Sequence, residues 1–127
     1  MSTKISGTSG VTFPDSTSMQ TGQQACKAWV NFNGTGTVAI RGAFNVSSVT
    51  DNGTGNYTVN FTTAMPDVNY STFLTIAGSD PNRNSTIHSS TSLGNGTKST
   101  TTVRVLTGIA STGTKADSAD VNICIFR

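Results

Sequence analysis

The tetrapeptide Asn-Gly-Thr-Gly occurs twice in this 127-residue chain, at Asn33–Gly36 and Asn52–Gly55, each time between runs in which apolar and polar residues alternate. Asn-Gly is the preferred centre of a two-residue hairpin turn, because both residues accept positive φ at low cost. Two such turns between period-two runs call for antiparallel strands. The surrounding residues agree. Ser, Thr, Asn and Gly make up about half of the chain, far above ordinary usage. Glutamate is absent, and Lys, Arg, Ala and Leu are sparse. A helix draws on those residues, so long helices are not expected. Thr, Val, Ile, Phe and Tyr fill the apolar positions and suit strands.

The first 24 residues stand apart by their polarity, with only Ile5, Val11, Phe13 and Met19 as larger apolar groups. Such a segment cannot bury a core of its own. It reads as an extended N-terminal arm over 1–24 for oligomerisation or anchoring, with Val11, Phe13, Pro14 and Met19 as its contact residues. From Ala25 the pattern changes. Cys26, Ala28, Val30 and Phe32 alternate with Lys27, Trp29 and Asn31, which predicts a strand with Trp29 on the opposite face. Gly42 is expected to be a bulge or bend between strand pieces at 37–40 and 43–46. Further alternating faces are Tyr57, Val59 and Phe61, then Tyr70, Thr72, Leu74 and Ile76. Thr101, Val103, Val105 and Thr107 form another, and Val121, Ile123 and Ile125 the last. Met65-Pro66-Asp67 breaks the pattern, and 78–84 and 113–120 read as loops. The sum is an all-β chain: over 25–127, an antiparallel β-sandwich or jelly-roll-like domain of about eight strands.

Chemistry is harder to find. The formal charge is +2 and the basic residues are scattered, without interleaved aromatics, so nucleic acid is not an expected partner. No apolar run has the length of a membrane span. The segment before Val11 has no apolar stretch of the kind a secretory signal needs, so the eight Asn-x-Ser/Thr matches are read as products of composition. The lone His88 has no nucleophile or carboxylate motif beside it. Asp15, Asp51, Asp67 and Asp80 sit beside turn residues, where Asp caps backbone groups. Gly34, Gly36 and Ala39 match a dinucleotide-binding spacing, but a β-branched strand follows where that motif needs a helix. No catalytic residue, cofactor or metal ligand set is expected. Trp29, Phe32, Phe44, Tyr57, Phe61, Tyr70 and Phe73 could form a sugar-stacking platform, but most sit on alternating strand faces and read as core, with Trp29 as the candidate exposed or interface residue. Two readings stay open for Cys26 and Cys124: buried reduced thiols, or a disulfide closing nearly the whole domain at a gain of about 4–5 kcal/mol.

The run Ala25-Cys26-Lys27-Ala28-Trp29-Val30-Asn31-Phe32, followed by Asn33 to Arg41, resembles a β-module of tailed-bacteriophage virion surface proteins. Val46 to Asp51, Tyr57 to Phe61, and Met65-Pro66-Asp67 with Tyr70 continue the likeness. Upstream, Gly10 to Thr17 is similar to the Phe-Pro-Asp-Gly-Thr segment found before such modules, with Ser16 in place of the Gly. The resemblance implies a non-enzymatic virion protein that forms homotrimers, made in the host cytoplasm and displayed on the particle. A short arm on a compact domain suits a capsid decoration (cement) protein contacting the major capsid protein or other virion proteins. The alternative is a tail-fibre or head-fibre tip binding host-surface glycans. Its receptor loops would present Asp80, Asn82, Arg83, Asn84, Asn95 and Lys98.

Overall fold

The computed structural model describes residues 4–6, 10–12, 18–19, 26–77, 98–109 and 112–127. None of these residues is helical, and every strand pair is antiparallel. Near the N-terminus, β1 (Lys4–Ser6), β2 (Gly10–Thr12) and β3 (Ser18–Met19) pair with one another, Val11 opposite Met19. Phe13 and Pro14 lie outside the described residues, as do His88, Asp80, Asn82, Arg83, Asn84 and Asn95.

The remaining strands build a β-sandwich. They are β4 (Cys26–Asn33), β5 (Ala39–Phe44), β6 (Val46–Asp51), β7 (Asn56–Phe61), β8 (Ser71–Ala77) and β9 (Thr102–Leu106). The two-residue strands β10 (Gly108–Ile109) and β11 (Thr114–Lys115) follow, and β12 (Asp120–Phe126) closes the chain. One sheet has the order β5-β4-β12-β8, the other β6-β7-β9, and β10 and β11 pair separately. The last strand therefore inserts between β4 and β8, beside the first long strand of the domain. Alternation decides what each strand buries. Ala28, Val30 and Phe32 of β4 meet Val121, Ile123 and Ile125 of β12 on one inner face, with Leu74 of β8. Tyr57, Val59 and Phe61 of β7 and Val103 and Val105 of β9 form the facing layer. Phe32 and Tyr57 join the layers edge to face, with centroids 5.2 Å apart. Each fully buried Val, Leu, Ile or Phe here stabilises the fold by roughly 1.5–3 kcal/mol before chain entropy is counted.

Three local expectations need correction. Both Asn-Gly-Thr-Gly segments do connect hairpins, β4 to β5 and β6 to β7, but neither is a two-residue turn. The connections run over 34–38 and 52–55. Positive φ is taken by Gly36, Gly53 and Gly55 and not by either Asn. The side chain of Asn33 accepts from the Thr35 amide and hydroxyl (3.0 and 2.7 Å), and Asp51 accepts from the Gly53 amide at 2.8 Å. These local bonds close the turns without a left-handed Asn. Secondly, the chain changes sheets at Asn45. This residue has φ 55°, and its amide donates to the carbonyls of Lys27 and Thr63. The bulge expected at Gly42 is present within β5, with Arg41 as the extra residue beside that glycine. Thirdly, a bulge at the start of β4 turns Cys26 away from the face of Ala28, Val30 and Phe32.

The two tetrapeptides meet at one point. The Tyr57 hydroxyl lies 2.8 Å from both the Gly34 carbonyl and the Asp117 carboxylate, which share its proton. Asp117 also accepts from the Gly55 amide at 2.7 Å, and Gly34 donates to the Ser118 carbonyl at 2.9 Å. There is no room for a side chain at either glycine. A Cβ on Gly34 would stand 2.5 Å from the Tyr57 hydroxyl, and one on Gly55 2.3 Å from the Thr107 carbonyl. Gly36 needs positive φ but opens onto free space.

Gly34→Ala and Gly55→Ala should each destabilise the fold by about 2–4 kcal/mol through overpacking, against about 1 kcal/mol for Gly36→Ala, which adds only backbone strain. Urea denaturation of the three variants will show this order; equal losses would mean that the junction does not carry the packing constraint. A second expectation concerns the two tyrosines, the only ones in the chain. Burial pushes Tyr70 up to about 12. Burial, then the Asp117 carboxylate, raises Tyr57 further. Both folded values exceed the unfolded one near 10, so the neutral phenols stabilise the fold below that pH and the contribution is lost as pH rises through the folded values. Phenolate absorbance should stay near its baseline at about pH 10, where a free tyrosine is half ionised, and should rise together with unfolding at higher pH.

Candidate functional site

The outer face of the β5-β4-β12-β8 sheet carries a row of exposed aromatic residues. In an antiparallel ladder, directly opposed residues project to the same side. Phe44 opposes Trp29, Trp29 opposes Cys124, and Cys124 opposes Phe73. One unbroken row therefore crosses all four strands. Phe126, two residues beyond Cys124, falls on the same face and meets Phe73 edge-on, with centroids 5.7 Å apart. Phe44, Trp29, Phe73 and Phe126 are 54, 41, 60 and 38 % exposed. These are four of the six large apolar residues exposed among the described ones. The Trp29 ring lies over Gly42, whose missing Cβ would stand 3.3 Å from it. A patch of contiguous aromatic surface is unlike the scattered exposed apolar residues of ordinary monomers, and such patches mark contact sites.

One residue pair further along, the same face turns polar. Asn31 opposes Gly42 and Asn122. Its amide donates to the Asn122 side chain at 2.7 Å and to Asp120 at 2.5 Å. Arg41 completes this edge with an ion pair to Asp120 at 3.2 Å and a bond to the Ala119 carbonyl at 2.6 Å. Beyond Phe126, Arg127 clasps Asp67 through two bonds of 2.5 and 3.0 Å. That guanidinium, with the Asn69 amide, holds the Asp67 carboxyl below its ordinary range. Arg41 and Arg127 beside the aromatic row are thus each paired with an aspartate. The row offers a partner area to desolvate and little net field to attract it.

The four described aspartate carboxylates are each engaged in structural bonds. Asp51 caps a turn, Asp67 is held by Arg127, Asp117 serves the Tyr57 junction, and Asp120 holds Arg41 and Asn31. Among the described residues, no group of three or more His, Cys, Asp or Glu could hold a metal ion. Lys98, the one described member of the expected receptor loops, donates to the Tyr70 carbonyl at 2.7 Å and lies 5.0 Å above the Tyr70 ring. Cys26 and Cys124 are half-buried free thiols, Cys124 within the row and Cys26 opposite Phe126.

Trp29 was legible as an outward residue from its phase opposite Val30. Phe44 and Phe73, read as core, are corrected to the outer face. For Phe73 the signal was available, since it is out of phase with Leu74 and Ile76. Phe126 is likewise out of phase with Ile123 and Ile125. Phe44 could not be placed from periodicity, because the bulge at Arg41 resets the phase of β5. Comparison of the chain with protein-family models, with curated proteins and with solved structures finds no match.

Replacing Gly42 by valine should lift the Trp29 ring from its seat. The chain has a single tryptophan, so its emission reports this directly. The variant should show a red-shifted emission and faster acrylamide quenching, with a stability loss of about 1–2 kcal/mol.

Proposed function

We propose that this chain is a non-enzymatic structural protein of a phage particle. Its role is that of a trimeric capsid decoration protein whose aromatic sheet face is its contact surface with neighbouring virion subunits. The observation that carries the reading is the row Phe44, Trp29, Cys124 and Phe73, with Phe126 beside it. Aromatic anchors ringed by polar groups supply most of the energy of protein contacts once water is excluded. The sequence likeness to phage virion modules supplies the biological setting. The described carboxylates are engaged in structural bonds, which accords with a role that needs surface and not chemistry. The glycan-binding alternative rests on loop residues of which only Lys98 is described, and its ammonium is turned onto Tyr70. The decoration reading is therefore the one put to test.

Phe44→Asp combined with Phe73→Asp should leave the thermal midpoint nearly unchanged, because both side chains are already exposed. It should convert the trimer to monomer in analytical ultracentrifugation and abolish binding to particles. Wild-type protein carrying a label should appear by cryo-electron microscopy at many quasi-equivalent capsid positions. Label confined to the tail would overturn decoration in favour of adhesion, and a double variant that still assembles would remove the aromatic face from the proposal.

A further inference from the structure

We propose that Cys26 and Cys124 are a reversible redox pair that closes a cross-strand disulfide within one chain when the protein meets a small-molecule disulfide. This does not rest on the virion role. Cys124 lies in the row proposed there as a contact, so the exchange belongs to the chain with that face uncovered, and the Phe44→Asp, Phe73→Asp variant keeps the thiols open where assembly would cover them. The argument begins with register. In an unbroken β4, Cys26 would point inward with Ala28, Val30 and Phe32. The ladder to β12 instead runs from Ile125 opposite Ala28 to Phe126 opposite Cys26, leaving Lys27 as the extra residue. The bulge rotates Cys26 onto the outer face, which is also the face of Cys124. The two strands are direct neighbours. Cys26 stands opposite Phe126 and Cys124 opposite Trp29, so the two cysteines are diagonal on one face, near enough for Cys26 to help raise the Cys124 thiol. The Cys26 thiol also donates to the Ala28 carbonyl at 3.2 Å, which holds its rotamer towards the strand. Both residues are half-buried, accessible at one side and backed by the sheet on the other.

The geometry has a chemical order. Burial, then the neighbouring Cys26, raises the thiol of Cys124 above its ordinary range. Cys26 opens β4 at the bulge and makes the initial attack, and Cys124, in the middle of β12, resolves it. The Cys26 thiolate attacks one sulfur of a disulfide such as oxidised glutathione. The S–S bond of glutathione breaks, a Cys26–glutathione mixed disulfide forms, and one glutathione thiol leaves. The adjacent Cys124 then loses its proton and displaces the second glutathione. In total, two protein S–H groups are oxidised to one S–S bond, and one glutathione disulfide is reduced to two thiols. The bond would link the two central strands of the sheet on the face that carries the aromatic row. It would also join residues at nearly opposite ends of the domain sequence, so the unfolded chain loses freedom.

The test uses the purified full chain, incubated with oxidised glutathione or with a phosphine reductant. Oxidation should remove both reactive thiols, lower the intact monomer mass by two hydrogens, and yield one peptide pair joining Cys26 to Cys124. The thermal midpoint should rise by about 5–10 °C and return on reduction. Cys124→Ser should instead trap a stable glutathione adduct on Cys26, and thermal unfolding of the reduced variant will confirm that it is folded. Persistent adducts on both cysteines of the wild type, covalent dimers as the main product, or thiols that stay free under oxidation would each overturn the proposal.

Discussion

The hydrogen bonds around the Tyr57 hydroxyl are the constraint on which the rest of the sandwich depends. A buried phenol in a core this apolar must find partners for its oxygen or lose far more than its ring contributes. It finds the Gly34 carbonyl and the Asp117 carboxylate. Gly34 belongs to the β4–β5 hairpin of one sheet, Tyr57 to the β6–β7 hairpin of the other, and Asp117 to the segment leading into β12. One side chain thus registers both hairpins against the closing strand. The Phe32 ring, edge-on to Tyr57, extends the same contact into the core. The glycines around it are small because a polar group has to reach backbone there.

The outer face depends on this inner one. With Ala28, Val30 and Phe32 committed to the core, Trp29 and Asn31 have no choice but to face out. The same applies to Cys124 and Phe126 against Ile123 and Ile125. What the four strands then share is an outer face, crossed by an aromatic row with an amide-rich stretch beside it. Asn45 makes the row wide enough to matter. Its positive φ and its bonds to Lys27 and Thr63 end β5 just after Phe44, so that Phe44 closes the row before the chain leaves for the second sheet.

Much of this was readable before folding was considered. Strand content, hairpin order and the inward faces of β4, β7, β8, β9 and β12 follow from period-two patterning, because a half-buried strand must alternate. The position of Trp29 followed from the same rule. The turn type did not, since Asn can close a turn either by adopting positive φ or through its side-chain oxygen, and Asn-Gly-Thr-Gly satisfies both. Cys26 and Phe44 were misplaced for a common reason. Cys26 lies next to a bulge and Phe44 beyond one, and one extra residue inverts every face beyond it. A bulge is set by what the neighbouring strand needs, which local sequence does not contain.

The sequence by itself determined that this chain would be antiparallel β, where its hairpins would turn, and which residues would fill its core. These are local properties, carried by alternation and by the conformational freedom of Gly and Asn. Only the tertiary structure decided that the two Asn-Gly-Thr-Gly segments converge on Asp117, that the last strand enters beside the first, and that Phe44, Trp29, Cys124 and Phe73 stand in one line. Each of these joins residues far apart in the chain through strand register. Register is decided by the packing of two sheets against one another, a constraint that no single segment carries.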